Sequence, residues 1–530
     1  MAKVKFSIII PTYNSANEVV NAIESIKKQS FKDYEIIVVD DCSTDNTAEI
    51  LNKIEGIRVV KNQENLKAGG SRNQGLNVAE GEYIIFLDAD DYLAEEETLQ
   101  KINDVIGKDV PDIVYLGFKK IGRDIEEIWI PTEENSTFSK RAHEWKDENV
   151  WDVCWNKEFL DKNNIRFVEK KYFEDFVFYY TGIMNANQYK VASFITHIYT
   201  RFKDDSMTLK ITEQKLQDLY YNVNEFLERA KTVDSDKKAD VIYAIYRVVE
   251  YSTRLLLEYE RIEKQNQLKD SLTKRYSNLI EKYKNINLVN KQEEDIIWIC
   301  WWQGIENAPE IVKKCLNSVK KYNPDKKIIV VTEKNYKQYV TIPDYIEEKL
   351  KTKKMSITHF SDVLRVNLLS KYGGLWLDAT CFLTADISEY FKKEFFTIKL
   401  PYNEKEKCIS GGKWCVFCMY GKSNNVLFNF LKEFYDLYWK ERDEIEDYFI
   451  MDYAIKIAYE NIEEVRKMLD NVPENNANIH MLKEMLNEEY NEIEYNRLLS
   501  TNKIHKLAHE RKYVTTTEDG KETYYGHIMK

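Results

Sequence analysis

The first 120 residues alternate short apolar segments with segments of helical pattern, and this alternation limits the fold more than any other feature of the chain. Apolar segments at 5–11, 34–39, 57–60 and 83–87 predict strands, and the segments between them predict helices. Strands that alternate with helices form a parallel sheet covered on both faces. We therefore predict an α/β fold built on a mostly parallel sheet.

Polar side chains follow three of these predicted strands where each strand ends, which is where ligands of parallel sheets bind. The residues are Thr12, Tyr13 and Asn14, then Asp40 and Asp41, then Asp88, Asp90 and Asp91. A carboxylate after the second strand suits a hydrogen bond to a base or ribose. Asp88 and Asp90 are two apart on an extended segment and point to one side. Such a pair suits Mg²⁺ or Mn²⁺ held against a diphosphate.

Segments 8–14, 35–45, 65–73 and 86–91 resemble the family 2 glycosyltransferases, which have the Rossmann-like GT-A fold. The resemblance extends over 1–205, which we predict to be one domain. It implies that the first loop and the aspartate after the second strand hold a uridine, and that the Asp-x-Asp pair holds a metal and a diphosphate. The implied nucleotide-sugar-binding residues are Pro11, Tyr13, Asn14, Asp40, Asp41, Arg72 and Asp88, and the implied metal ligands are Asp88 and Asp90.

The same resemblance extends to Glu174 and Asp175, which follow a family-like Trp-Asn-Lys at 155–157. It implies that one of the two carboxylates is the catalytic base, with Asp175 favoured over Glu174. A base of this kind deprotonates the acceptor hydroxyl, which then attacks the sugar from the face opposite the leaving nucleotide. The implied outcome is inversion at the anomeric carbon.

Residues 206–290 lose the strand pattern and have apolar residues at helical spacing, which predicts a helical connector. Its basic and aromatic residues near 274–284 are typical of an ordinary solvated helix face, the interpretation we favour. The alternative is a face that contacts a membrane surface.

A second set of polar residues follows the connector. Segment 296–302 predicts a buried strand, and strand 375–377 ends at Asp378. Asp362 and Arg365 are three apart on a predicted helix that Ser361 is expected to cap. Together they suit binding of sugar hydroxyls and a phosphate. The alternative is a surface salt bridge.

Segments 297–304, 359–365 and 372–380 resemble family 32 glycosyltransferases, in the branch of bacterial capsular polysaccharide synthesis proteins. We predict a second GT-A domain over 291–530. The resemblance implies retention of the donor's configuration. It implies donor contacts at Trp298, Gln303, Asp362 and Arg365, and a metal at Asp378, Thr380 and His505. Thr380 stands where the wider family has an aspartate, and a hydroxyl is the weaker metal ligand.

Composition excludes several other classes of protein. The chain has 77 Lys and Arg against 89 Asp and Glu, a net charge of −12, which disfavours nucleic-acid binding. The longest apolar stretch is seven residues, whereas a spanning helix needs ~20. The eight cysteines are scattered, which favours the reducing cytoplasm.

The resemblances together predict a bifunctional transferase that uses UDP-sugars and builds a capsular or similar surface polysaccharide. Its acceptor is expected to be lipid-linked, with the enzyme in the cytoplasm and in peripheral contact with the inner face of the membrane. Three alternatives stay open. In the first, only one domain is catalytic and the other is a scaffold or carbohydrate-binding module. In the second, the first domain is a sugar nucleotidyltransferase. In the third, the chain binds carbohydrate without catalysis.

Overall fold

The computed structural model describes residues 4–122, 126–132, 149–201, 211–234, 237–284, 286, 288, 295–400 and 408–530. The chain divides into two compact units, Met1–Ile262 and Glu263–Lys530. The two domain boundaries predicted at 205/206 and 290/291 lie outside the described residues. The predicted α/β class is confirmed.

The N-terminal unit is built on one sheet, which has nine strands within the described residues. In chain order the strands are β1 (Phe6–Thr12), β2 (Tyr34–Asp40), β3 (Arg58–Lys61), β4 (Tyr83–Phe86), β5 (Tyr92–Leu93), β6 (Ile113–Gly122), β7 (Glu126–Trp129), β8 (Val153–Asn156) and β9 (Tyr189–Arg201). Their order in the sheet is β3-β2-β1-β4-β8-β6-β9-β5, and β7 pairs with β6. Strands β3, β2, β1 and β4 are parallel, whereas β8 is antiparallel to both of its neighbours.

The helices of this unit mostly follow strands, as the alternating pattern predicts. They are α1 (Val19–Lys27), α2 (Thr47–Leu51), α3 (Lys67–Val78), α4 (Thr98–Ile106), α5 (Lys157–Lys162), α6 (Asp175–Asn185) and α7 (Glu213–Ala230). Helices α8 (Lys238–Arg275) and α9 (Ser277–Lys284) follow, and the division between the units falls within α8. Segments 211–234 and 237–284 of the predicted connector are therefore largely helical.

Strand β1 shows why the sheet is covered on both faces. Its side chains alternate between two apolar clusters, because successive residues of a strand point to opposite faces. Ile8 and Ile10 pack in a cluster with Val19 and Ile23, and Ile9 packs in the cluster that contains Phe86. A strand buried on both faces is largely apolar, and a polar residue within it needs a partner, as Ser7 Oγ finds in Glu35 Oε1. The exposed polar residues Tyr13 and Asn14 come after the carboxyl end of β1.

The C-terminal unit has a smaller sheet of the same central design. Its strands are β10 (Ile296–Cys300), β11 (Lys327–Val331), β12 (Gly374–Leu377), β13 (Cys381–Leu383), β14 (Phe395–Thr397), β15 (Cys418–Gly421) and β16 (Ile504–Lys506). Among the described residues the main sheet has the order β11-β10-β12-β15-β14, and β13 pairs with β16 apart from it. Strands β11, β10 and β12 are parallel, and β15 is antiparallel to β12.

The helices that come after β10 in the C-terminal unit alternate with its strands or follow them in the chain. They are α10 (Glu310–Tyr322), α11 (Asp344–Lys351), α12 (Ile357–Tyr372), α13 (Val426–Glu441), α14 (Ile450–Asn461), α15 (Glu463–Asp470), α16 (Met481–Met485), α17 (Glu492–Thr501) and α18 (Tyr524–Met529). Helix α12 begins earlier than predicted, because Ser356 caps it and Ser361 lies within it. The expectation that Ser361 caps this helix is therefore wrong. No helix of the described chain is long and apolar enough to cross a membrane.

Candidate active sites

Arg72 lies at the centre of the polar cluster of the N-terminal unit. It is carried by α3, and its Nη2 donates to Asp88 Oδ1, just after β4, at 2.8 Å. Its Nη1 donates to Asp175 Oδ1 at 2.8 Å and to Glu174 Oε1 at 3.4 Å, at the start of α6. The structure thus brings together residues that are up to 103 positions apart in the chain. One guanidinium joins the expected diphosphate side of the site to the expected base.

Burial sets the charges of this cluster. Side-chain exposure is 4% for Arg72 and 8% for Glu174, but 42% for Asp175. Desolvation and the neighbouring Asp175 raise the pKa of Glu174 above its usual value, against the effect of Arg72. Desolvation also raises the pKa of Asp175, and Arg72 opposes that shift. Asp175 is therefore the carboxylate that an acceptor can reach, and Arg72 favours its ionised form.

The glycine at 69 explains how α3 approaches this close to Glu174. A Cβ at Gly69 would lie 2.5 Å from Glu174 Cγ and 2.8 Å from the carbonyl oxygen of Val168, which is too close for any side chain. Packing against Glu174 therefore requires a glycine at 69, three residues before Arg72.

The loops after β1 and β2 are bound to each other. Asn14 Oδ1 accepts hydrogen bonds from the backbone N–H groups of Thr44 and Asp45, at 2.7 and 3.3 Å. Pro11 lies within β1, where it pairs with Val39. Tyr13 is half-exposed beside this junction. Its ring is thus available for contact with a planar base.

The two aspartates after β2 have different environments. Asp41 Oδ1 accepts from Asn62 Nδ2 and from the backbone N–H of Leu66, both at 2.7 Å, so this side chain fixes the loop before α3. Asp40 Oδ1 accepts from the backbone N–H of Ser43, while Asp40 Oδ2 is buried and has no partner among the described residues. Asp40 thus keeps one carboxylate oxygen with acceptor capacity left for a nucleoside.

The residues after β4 fit a divalent metal. Asp88 Oδ1 is bound by Arg72, Asp88 Oδ2 accepts no hydrogen bond from the described part of the chain, and Asp90 is exposed. Two carboxylates with phosphate oxygens and water are a usual ligand set for Mg²⁺. No cluster of three or more His, Cys, Asp or Glu able to hold a metal occurs in the described ranges, so the remaining ligands would come from the diphosphate and solvent. Asp91 is buried, and its backbone-bonded carboxylate has a pKa raised to about 9 by desolvation and by Asp88 and Asp90.

Asp378 has the corresponding place in the C-terminal unit, at the end of β12. Its Oδ1 accepts from Trp376 Nε1 at 3.0 Å and from Arg365 Nη2 at 3.2 Å. Arg365 Nη1 also pairs with Asp362 at 3.1 Å on α12, and the guanidinium lies over the Trp376 ring. All of these side chains are largely buried, so the pair at 362 and 365 is not a surface salt bridge.

Lys506 supplies a second cation to this site, and sequence reasoning missed it. Its Nζ donates to Asp378 Oδ2 at 2.8 Å and to Thr380 Oγ1 at 2.7 Å. Burial by itself would raise the pKa of Asp378, but Lys506 and Arg365 outweigh it and lower that pKa. The two side chains predicted to share a metal are therefore already bridged by an ammonium.

The structure does not bring His505 to Asp378. His505 precedes Lys506 on β16, and adjacent residues of a strand point to opposite faces. Its Nε2 lies 3.4 Å from Thr384 Oγ1, and burial lowers its pKa to about 4. The donor set expected for a metal in the C-terminal unit is thus reduced to Asp378 and Thr380, both bound to Lys506, and these residues do not fit a metal.

Trp298 and Gln303 are the other two predicted donor contacts of this unit. Trp298 is buried in the core, where its Nε1 donates to the carbonyl of Gly373 at 2.9 Å and its ring contacts Tyr339 and Tyr372. Its indole is thus used within the fold. Gln303 is exposed in the turn after β10, and its carbonyl accepts from Asn307.

The structure adds an acidic residue beside Arg365 that the motifs did not indicate. Asp452 on α14 accepts a hydrogen bond from Trp414 Nε1 at 2.9 Å. Burial raises its pKa to about 6, and Trp414 and Arg365 oppose the shift. Burial likewise raises the pKa of Asp362 to about 7, against the effect of Arg365.

Both halves of the chain are similar to known protein families. Residues 253–528, just over half of the chain, match the family described as capsular polysaccharide synthesis protein. The chain belongs to the capsular polysaccharide synthesis protein family. This family member also matches glycosyl transferase family 2 over residues 7–163, so both predicted resemblances are confirmed.

Individual relatives are named as bacterial glycosyltransferases. Poly(ribitol-phosphate) beta-N-acetylglucosaminyltransferase TarS of Staphylococcus aureus is 33% identical over 210 residues, 37% of this chain and 35% of TarS. GalNAc(5)-diNAcBac-PP-undecaprenol beta-1,3-glucosyltransferase of Campylobacter jejuni is 29% identical over 276 residues, 49% of this chain and 86% of the relative. This family member spans about a third of the length of the first relatives it matches.

A solved structure of S. aureus TarS residues 1–349 with UDP is 25% identical and has a TM-score of 0.38. It covers 44% of this chain and 68% of that chain.

Proposed function

We propose that the chain is a glycosyltransferase with two active sites, which transfers sugars from nucleoside diphosphate donors, of the UDP class at the first site, to a growing cell-surface polysaccharide. The observation that carries the proposal is the bridge from Asp88 through Arg72 to Asp175. It holds a diphosphate-binding carboxylate and an exposed carboxylate base 2.8 Å from one guanidinium. A nucleotidyltransferase or a module that only binds carbohydrate has no need of that second carboxylate.

At the first site the residues have distinct roles. Asp40 and Tyr13 bind the nucleoside, and Asp88 and Asp90 lie at the diphosphate. A divalent metal bound by these two aspartates would neutralise charge on the diphosphate. Asp175 accepts the proton of the acceptor hydroxyl as the oxygen bonds to the anomeric carbon.

The bond from that carbon to the diphosphate oxygen breaks, and its electron pair leaves with the nucleotide. Attack from the side opposite the leaving group inverts the configuration.

At the second site Asp362, Arg365 and Asp378 bind the donor, and family resemblance supports retention of configuration. The proposed acceptor is lipid-linked, because the C. jejuni relative is named for an undecaprenol-linked acceptor. We place the enzyme in the cytoplasm, in peripheral contact with the inner face of the membrane.

A donor screen tests the proposal. Nucleotide release is measured on the full chain with UDP-, GDP- and dTDP-sugars, for the unchanged protein and for Asp90→Ala and Asp378→Ala separately. We expect each variant to lose one transfer and to keep the other. If one substitution abolishes all nucleotide release and the other leaves release unchanged, the result supports the alternative of one active domain and one scaffold. If no nucleotide is released with any donor and acceptor tested, the proposed glycosyltransferase activity is refuted.

A further inference from the structure

The carboxylate at the end of β12 has its hydrogen-bonding capacity largely used within the fold. Asp378 Oδ1 is bound by Trp376 Nε1 and Arg365 Nη2, and Asp378 Oδ2 by Lys506 Nζ. Lys506 also binds Thr380 Oγ1, so its ammonium stands where a metal would bridge the two side chains. A metal at this position would have to displace a cation that is already paired with Asp378.

Lys506 is held in place by its backbone. Strand β16 pairs with β13, which sets Lys506 opposite Cys381, directly after Thr380 in the chain. The backbone N–H of Lys506 donates to the carbonyl of Ile479, and the N–H of Leu507 donates to the carbonyl of Thr380, at 2.8 and 2.9 Å. The strand pairing fixes the lysine relative to Thr380, so its charge is positioned before any ligand arrives.

The cation is partly open to solvent. The side chain of Lys506 is 19% exposed and that of Asp378 is 29% exposed, whereas that of Arg365 is 5% exposed. An ammonium in this position keeps a donor for an incoming anion, because it has three N–H groups and two of them are used. Lysine is a compact point charge well suited to a phosphate oxygen.

We propose that the C-terminal unit binds the diphosphate of its donor without a metal ion, and that Lys506, supported by Arg365, supplies the positive charge. This inference rests on the proposed function of the second site as a nucleoside diphosphate sugar site. Thr380 is consistent with it: an aspartate there would add a second negative charge beside Asp378, whereas the hydroxyl accepts from Lys506 and leaves the ammonium's charge available. The first site differs, because the cation paired with Asp88 is the guanidinium of Arg72, which binds its Oδ1.

The test is nucleotide binding by calorimetry on the full chain. The first site is silenced with Asp40→Ala and Asp90→Ala, and UDP, GDP and dTDP are titrated separately in EDTA and in Mn²⁺. We expect at least one nucleotide to bind in EDTA with an affinity within about threefold of that in Mn²⁺. In the same background Lys506→Ala lowers this affinity at least ~10-fold, as the loss of one charge-assisted hydrogen bond would.

Two controls separate charge from folding. Lys503→Ala changes a partly exposed lysine of the same segment, which pairs with Glu389, and should leave binding unchanged. Lys506→Arg keeps a cation and should retain binding in EDTA. The comparison of the two buffers does not depend on any Lys506 variant being folded.

The possible failures are distinguishable. Binding that needs Mn²⁺ and survives Lys506→Ala overturns metal independence but leaves the second donor site standing. If no nucleotide binds in either buffer, the proposed function of the C-terminal unit fails, and the inference fails with it.

Discussion

Replacing Arg72 with lysine tests whether the first site depends on the two separate Nη nitrogens of the guanidinium or only on its positive charge. Arg72 uses two different nitrogens, Nη2 for Asp88 and Nη1 for Asp175, each at 2.8 Å. A lysine has one terminal nitrogen, one bond closer to Cα than the Nη atoms of arginine, so we expect Arg72→Lys to keep one of these hydrogen bonds and to lose the other. A hydrogen bond between charged groups contributes about 1.5–3 kcal/mol, so transfer should slow roughly 10- to 150-fold.

Lysine is chosen over alanine because Glu174 is buried beside the same guanidinium. Removing the cation would leave that carboxylate unpaired, at a cost of about 3–5 kcal/mol in stability, and would confuse misfolding with loss of catalysis. Steady-state nucleotide release over a range of donor concentrations shows whether the hydrogen bond to Asp88 or the one to Asp175 has been lost. Loss at Asp88 raises KM for the donor, and loss at Asp175 lowers kcat.

Arg58→Lys is the matched control. Arg58 lies on β3 and is about half exposed; it donates to the Val78 carbonyl at 2.8 Å and reaches Glu80 only at 3.9 Å. A lysine can make a similar exposed contact, so the exchange should change neither constant. The reasoning is refuted if Arg72→Lys is as active as Arg58→Lys. It is also refuted if both constants of Arg72→Lys are unchanged while its melting temperature falls, since Arg72 would then only support the fold.

Three further outcomes are expected. Asp175→Asn should keep donor binding, measured by calorimetry, and lower first-site turnover by ~10²-fold or more, because an amide cannot accept the acceptor's proton; a loss of binding in proportion to rate would make Asp175 structural. Asp90→Ala should abolish the first transfer and spare the second, and near-full first-step turnover would remove Asp90 from the site. Burial holds the pKa of His197 at about 3, so below pH ~6.5 the unfolded state takes up a proton that the folded state does not. The unfolding free energy should therefore fall by up to about 1.4 kcal/mol per pH unit between pH ~6.5 and 3. Urea unfolding of His197→Phe should show a weaker fall, and an identical pH dependence would contradict the assignment.

The residues that could be predicted are those that local pattern places at strand ends. The segments ending near Thr12, Asp40 and Asp88 are mostly apolar because β1, β2 and β4 are largely buried, so the run of polar residues after each strand marks the edge of the sheet. The pairing of Asp362 with Arg365 also followed from helical spacing, although sequence could not show whether the pair was buried. Arg72 and the Glu174–Asp175 pair came from family resemblance alone.

The residues that were missed depend on contacts between distant segments. Lys506 reaches Asp378 across 128 positions because β16 pairs with β13, and a three-residue strand leaves little periodic signal. The resemblance pointed to this segment but favoured His505, whose side chain lies on the opposite face of the strand. A strand assigned one residue out of phase exchanges every inward side chain for an outward one.

The two units pair an arginine with an aspartate at the end of a strand in related ways. In each, a helix leads into a strand beside the central strand, an arginine of that helix pairs with the aspartate that follows the strand, and the next strand in the sheet is antiparallel. The pairs are Arg72 with Asp88 and Arg365 with Asp378. The arginine holds one carboxylate oxygen in both sites, so the difference lies at the other oxygen.

Asp88 Oδ2 has no hydrogen-bond partner in the described chain and has an exposed carboxylate two residues on, whereas Asp378 Oδ2 is bound by Lys506. A free oxygen beside a second carboxylate attracts a divalent cation, and an oxygen bound to an ammonium does not. The same position at the sheet edge therefore suits an exchangeable cation in one unit and a permanent one in the other.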